Sequence, residues 1–144
     1  MKKILSLIAV ITFSATGFSQ AKIEFLAKDN TIDYGKVTKD SDNGIRSFEF
    51  KNTGNAPLII TNVQSTCGCT VPSKPTEPIL PGKTGKIDVK YNMNPGPIRK
   101  TITVESNATN VEDGRVALKI KGEVIAKPEV NILEKKNLMP TSNF

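Results

Sequence analysis

The chain contains no histidine and no tryptophan. The first absence is chemical. Without an imidazole there is no Ser–His or Cys–His pair to build a nucleophile and no acid/base that titrates near neutrality at its ordinary pKa. Histidine-based zinc and iron sites are excluded for the same reason. The second absence is structural. Six phenylalanines and two tyrosines are the only aromatics, so a core has to be mainly aliphatic. Phosphate-cradling and dinucleotide-binding glycine loops are missing. The apolar run Ile4 to Phe13 is too short to cross a bilayer comfortably, and no run of membrane length follows it. An enzyme of ordinary hydrolase or oxidoreductase type is therefore not expected.

What is present begins with an address. Met1-Lys2-Lys3 is a basic start, Ile4 to Phe13 is a short apolar stretch, and Gly17 and Ser19 are small residues at the −3 and −1 positions of a cleavage site. Residues 1–19 read as a secretory signal peptide, and cleavage after Ser19 leaves Gln20 first. No cysteine follows closely enough for a lipid anchor. Cleavage removes Lys2 and Lys3 and no acid, leaving 18 basic against 14 acidic residues, a charge of +4. The expected product is exported, periplasmic or secreted, not inserted in a membrane, and held in an oxidising space. Its lysines alternate with acids and apolar residues, as in Lys86-Ile87-Asp88-Val89-Lys90. Such patterning is the solvated face of a strand, and no nucleic-acid partner is expected.

No helical period is found after the leader. Short alternating runs are punctuated by Gly, Pro, Asn and Asp instead. Ile23 and Phe25 share a face, as do Ile32 and Tyr34, Phe48 and Phe50, and Ile87, Val89 and Tyr91. Leu58 to Val63 is a richer apolar run. Ile98, Lys100, Ile102 and Val104 fall on one face, and Val116, Leu118, Ile120, Gly122 and Val124 on another. The Pro-rich stretch 72–81 is excluded from any central strand, because proline cannot donate to a ladder. About seven short strands with close turn signals predict an immunoglobulin-like β-sandwich over residues 20–126. Residues 127–144 lose the pattern and are expected to form a mobile tail, with Leu133, Leu138 and Met139 as weak docking residues.

The stretch Phe48-Glu49-Phe50-Lys51-Asn52-Thr53-Gly54-Asn55-Ala56-Pro57-Leu58-Ile59-Ile60, followed by Ser65-Thr66-Cys67-Gly68-Cys69-Thr70, Leu80-Pro81-Gly82 and Thr101-Ile102-Thr103-Val104-Glu105-Ser106-Asn107, resembles the DUF1573 family. The resemblance runs from about Ile32 to Val124. It implies an exported bacterial protein with an immunoglobulin-like fold similar to ASH, major-sperm-protein and PapD-like domains, whose members act in assembly or binding. It implies no catalytic activity.

The remaining chemistry is sparse. The carboxylates of Glu24, Glu49, Asp88, Glu105 and Glu123 sit in alternating runs, as solvated faces do. Asp40-Ser41-Asp42-Asn43-Gly44 resembles the opening of a calcium loop, but it lacks the closing glutamate, and its Asn-Gly signal favours a hairpin turn. Asn107-Ala108-Thr109 fits a glycosylation sequon and is read as a turn. The candidate site is Cys67-Gly68-Cys69. If Thr66–Thr70 continued the preceding strand, the two α-carbons would lie roughly 6.6 Å apart, at the long edge for a disulfide unless Gly68 bends the chain. A three-residue loop stabilises by only about 1.6 kcal/mol before strain. Three readings stay open. The cysteines are small packing residues. Or they are a redox dithiol, with Lys74 and Lys83 as candidates to lower a thiol pKa. Or they are soft ligands for Cu(I), with Met93 adding a thioether. No other cofactor is expected. The function read from the sequence is a non-enzymatic exported module that binds an envelope protein, by strand addition at a sheet edge. The alternative is a thiol-redox or Cu(I)-handling protein.

Overall fold

The computed structural model describes residues 17–127. The predicted leader up to residue 16 and the predicted tail beyond Lys127, with Leu133, Leu138 and Met139, lie outside the described residues.

Alternation of apolar and polar residues produces eight strands: β1 Ile23–Phe25, β2 Thr31–Val37, β3 Ile45–Asn52, β4 Ile60–Ser65, β5 Thr70–Ser73, β6 Thr84–Tyr91, β7 Gly96–Ser106 and β8 Arg115–Val124. They form two four-stranded sheets, in the orders β1-β3-β6-β5 and β2-β8-β7-β4. The all-β sandwich expected from the sequence is the observed fold. The strand that pattern reading did not find is β5, because Pro72 lies inside it. It sits at a sheet edge, where a missing N–H leaves no partner unsatisfied.

The core lies between the sheets. Phe48, Phe50, Ile87 and Val89 enter from one side, and Ile98, Ile102, Val104 and Leu118 from the other, all completely buried. At about 1.5–3 kcal/mol for each large apolar side chain removed from water, this aliphatic layer is the main source of cohesion. The longest ladder is the β7–β8 hairpin, in register from Gly96 opposite Val124 to Glu105 opposite Arg115. Asn107 uses its side chain to hold this end of the sandwich: its Oδ1 accepts from Ile59 N–H at 2.8 Å and its Nδ2 donates to Pro57 O at 3.0 Å.

One local expectation is corrected. Asp42-Asn43-Gly44 does turn the chain, with Gly44 N–H donating to Asp42 Oδ1 at 2.8 Å. It is not a hairpin. β2 pairs in parallel with β8, while β3 belongs to the other sheet. The turn therefore carries the chain across the sandwich, and its sequence signal is the same for either destination.

Candidate functional site

Cys67-Gly68-Cys69 lies in a second crossover. β4 is the free edge of one sheet and β5 the free edge of the other, and residues 66–69 join them. The backbone ties each half of the turn to a different sheet. Thr66 N–H donates to Thr101 O of β7 at 3.2 Å, while Cys69 O accepts from Asn92 N–H, just past β6, at 3.0 Å. Thr70 N–H closes the turn on Cys67 O at 3.4 Å.

Cys67 and Cys69 are joined as a disulfide with α-carbons 5.4 Å apart. The extended geometry considered from the sequence does not occur. β4 ends at Ser65, and the bend that follows shortens the spacing into the range a disulfide accepts. Both cysteines are half-buried and Gly68 is exposed. Cys69 packs against the hydrophobic core. The next residue, Thr70, is buried, and its hydroxyl lies 4.0 Å from Cys69 Sγ. Gly68 is outside the left-handed region, and a Cβ built there would meet no atom within 4 Å. The turn is thus exposed on its Gly68 side.

The cations proposed from the sequence are placed elsewhere. Lys74 Nζ donates to Thr61 O at 2.8 Å. Lys83 precedes β6, whereas the crossover lies past the other end of that strand. The β4–β7 pairing ends at Ser65 opposite Ile102 and the Thr66–Thr101 hydrogen bond, and the chain bends at Cys67. Lys100 pairs with Ile120 of β8 and shares its strand face with fully buried Ile98 and Ile102. A lysine in such a position keeps its stem among apolar groups and sends its ammonium outward.

Met93 is buried, and its sulfur packs beside Gly44, 3.2 Å from where a Cβ on that glycine would lie. Among the described residues no group of three or more His, Cys, Asp or Glu is arranged to hold a metal ion. With both sulfurs in the disulfide, thiolate coordination of Cu(I) requires prior reduction. Part of the surface charge is paired, as in Lys121–Asp33 at 3.4 Å and Arg115–Glu105 at 3.2 Å.

The other feature capable of recognition is a sheet edge. β1 has only three residues, β5 carries Pro72, and β2 is irregular between Asp33 and Lys36. β4 is different. The Thr66 N–H to Thr101 O bond fixes the alternation of the antiparallel ladder, in which every second residue turns its N–H and C=O away from the partner. On β4 those residues are Val63 and Ser65, opposite Val104 and Ile102.

The sequence profile of a family described as "protein of unknown function (DUF1573)" matches residues 25–124, and the chain belongs to that family. No curated protein matches the sequence. Among solved structures, the chain is similar to a protein of unknown function from Porphyromonas gingivalis W83, with a TM-score of 0.62 and 18% identity over 78% of this chain and 51% of that one. The chain thus spans about half the length of that relative. It is also similar to an ASH/PapD-like domain of human CEP192, with a TM-score of 0.55 and 12% identity over 87% of this chain and 99% of that domain. A third likeness is to the YadV chaperone, with a TM-score of 0.50 and 13% identity over 76% of this chain and 54% of that one. At these identities the likeness establishes a shared fold. Among the described residues no helix is long and apolar enough to cross a membrane.

Proposed function

We propose that this member of the DUF1573 family is a non-enzymatic binding or assembly module of the bacterial cell envelope, exported to the periplasm or beyond. In this reading it takes an extended segment of a partner protein as an added strand along β4. The observation that carries the reading is the pair of outward-facing backbone positions, Val63 and Ser65, on an edge that neither proline nor brevity protects. Main-chain hydrogen bonding gives such an edge affinity for an extended chain, and the side chains beside it give selectivity. The solved relatives with chaperone or PapD-like folds make the same architecture available, and they name no partner for this chain.

The test is Val63→Pro. The Val63 N–H faces away from β7, so proline removes a free donor and no ladder bond. Loss of packing should cost about 1–2 kcal/mol. A partner captured from envelope extract and crosslinked to the wild-type chain should be lost with the variant while the variant remains folded. Equal capture by both proteins would rule out addition at β4.

A second reading has its own observation. The Cys67–Cys69 disulfide is half-buried, closes a very short loop and lies open on the Gly68 side. That combination suits thiol–disulfide exchange better than stapling. Cu(I) handling belongs to the reduced form of the same pair. Titration of thiols before and after mild reduction, then Cu(I) competition with the reduced protein, separates exchange from metal binding.

A further inference from the structure

We infer that Cys67 is the sulfur that accepts an incoming thiolate and that Cys69 is the sulfur that leaves, which makes Cys67 a mixed-disulfide site for a protein dithiol. This rests on the exchange reading of the crossover and assigns the roles within it.

Two placements separate the two sulfurs. Cys69 packs on the core and is pinned through its carbonyl to Asn92, so its back is covered. Cys67 is not part of that apolar cluster, and the residue that follows it, Gly68, is exposed. Exchange requires the nucleophile to come in along the axis of the disulfide, so access selects which sulfur is attacked. The second placement concerns the leaving group. The Thr70 hydroxyl, held in a buried residue next in the chain, stands 4.0 Å from Cys69 Sγ. A small movement lets it donate to the thiolate that forms there, and a better leaving thiolate leaves faster.

The reaction balances without a cofactor. A partner thiolate forms a bond to Cys67 Sγ, the Cys67–Cys69 bond breaks, and its electron pair leaves on Cys69. The partner's second thiolate then attacks its own sulfur in the mixed disulfide and releases the Cys67 thiolate. The partner dithiol is oxidised to a disulfide, and this chain is reduced to a dithiol that takes up two protons from solvent. Run in reverse, the reduced chain delivers electrons to a partner disulfide through Cys67.

The experiment uses the oxidised full-length secreted protein and glutathione as the probe thiol. Brief reaction, acid quench and alkylation are followed by fragmentation mass spectrometry of the peptide spanning both cysteines. Glutathione on Cys67 with the alkyl group on Cys69, in excess of roughly tenfold over the reverse, is the expected result for an access-controlled exchange. Equal distribution, or glutathione mainly on Cys69, overturns the assignment while leaving exchange intact. No mixed disulfide and no reduction by excess dithiothreitol in the folded protein overturns the exchange reading itself.

Discussion

The guanidinium of Arg46 lies over the ring of Tyr34, with its carbon 4.1 Å from the ring centroid. Arg46 belongs to β3 and Tyr34 to β2, so the contact joins the two sheets where the chain first crosses between them. The same guanidinium pairs with Asp42 through both nitrogens, at 2.5 and 3.1 Å, and the Tyr34 hydroxyl donates to Gly44 O at 2.9 Å. Burial pushes the Tyr34 phenol up to about 12, so it remains a neutral donor to that carbonyl.

Replacing Arg46 with Met should therefore cost about 1–3 kcal/mol, since it removes a cation–π contact and a bidentate, charge-assisted pair together. The acid limb changes too. Hydrogen bonding from Arg46, followed by the Gly44 N–H, holds the Asp42 carboxyl below its ordinary value against the opposing effect of burial. A depressed carboxyl stabilises the fold above the unfolded value, near 3.8, and that stabilisation is lost as pH falls through the lower folded value. Urea denaturation at descending pH should show the wild type losing stability below about pH 4, and Arg46→Met losing less of it.

Asn52 is completely buried and fully used. Its Nδ2 donates to Ala56 O at 2.7 Å and to Ile79 O at 2.8 Å, and its Oδ1 accepts from Gly54 N–H at 3.0 Å. Asn52→Leu has similar size and leaves Ala56 O and Gly54 N–H without this partner, while Ile79 O keeps its bond from Leu58 N–H. The expected loss is about 2–4 kcal/mol by denaturant unfolding, well above the cost of a surface substitution.

Two glycines in turns should respond oppositely to alanine. Gly44 has φ +75°, and a Cβ there would come 2.2 Å from Tyr91 O. Gly68 has neither a left-handed backbone nor a neighbour within 4 Å. Gly44→Ala should lose more than about 2 kcal/mol, and Gly68→Ala should stay within about 0.5 kcal/mol of the parent. Calorimetry on both decides it. A large loss at Gly68 would show that the crossover backbone is tighter than its open surroundings indicate.

Reducing the disulfide should barely destabilise the domain. The loop it closes limits its contribution to about 1.6 kcal/mol in the chain-entropy account. Melting with and without dithiothreitol, using Cys67→Ser with Cys69→Ser as the reference, measures the difference. A loss several times larger would make the bond a structural staple and weaken the case for exchange.

Much of the fold was legible because side-chain direction along a strand is a local property. Phe48 and Phe50, Ile87 and Val89, and Leu118 and Ile120 all point inward as their spacing required. β5 was not legible, because Pro72 is a strong argument against a strand until the strand is known to lie at an edge. The site was legible in part. Cys67, Gly68 and Cys69 were singled out as the place where chemistry is plausible. Lys74 and Lys83 are near the pair in sequence, but Lys74 donates to Thr61 O and Lys83 precedes β6, at the end remote from the crossover.

By itself the sequence determined which faces are buried, where the chain turns and which reactive groups the protein possesses, since periodicity, glycine and asparagine chemistry and composition act within a few residues. The tertiary structure decided which sheet each strand joins, that the Asp42–Gly44 turn crosses the sandwich, that β4 lies at a sheet edge, and that the cysteine pair stands at a crossover between the sheets. Those outcomes depend on hydrogen bonds between segments tens of residues apart, and the same local signal serves a hairpin or a crossover equally well.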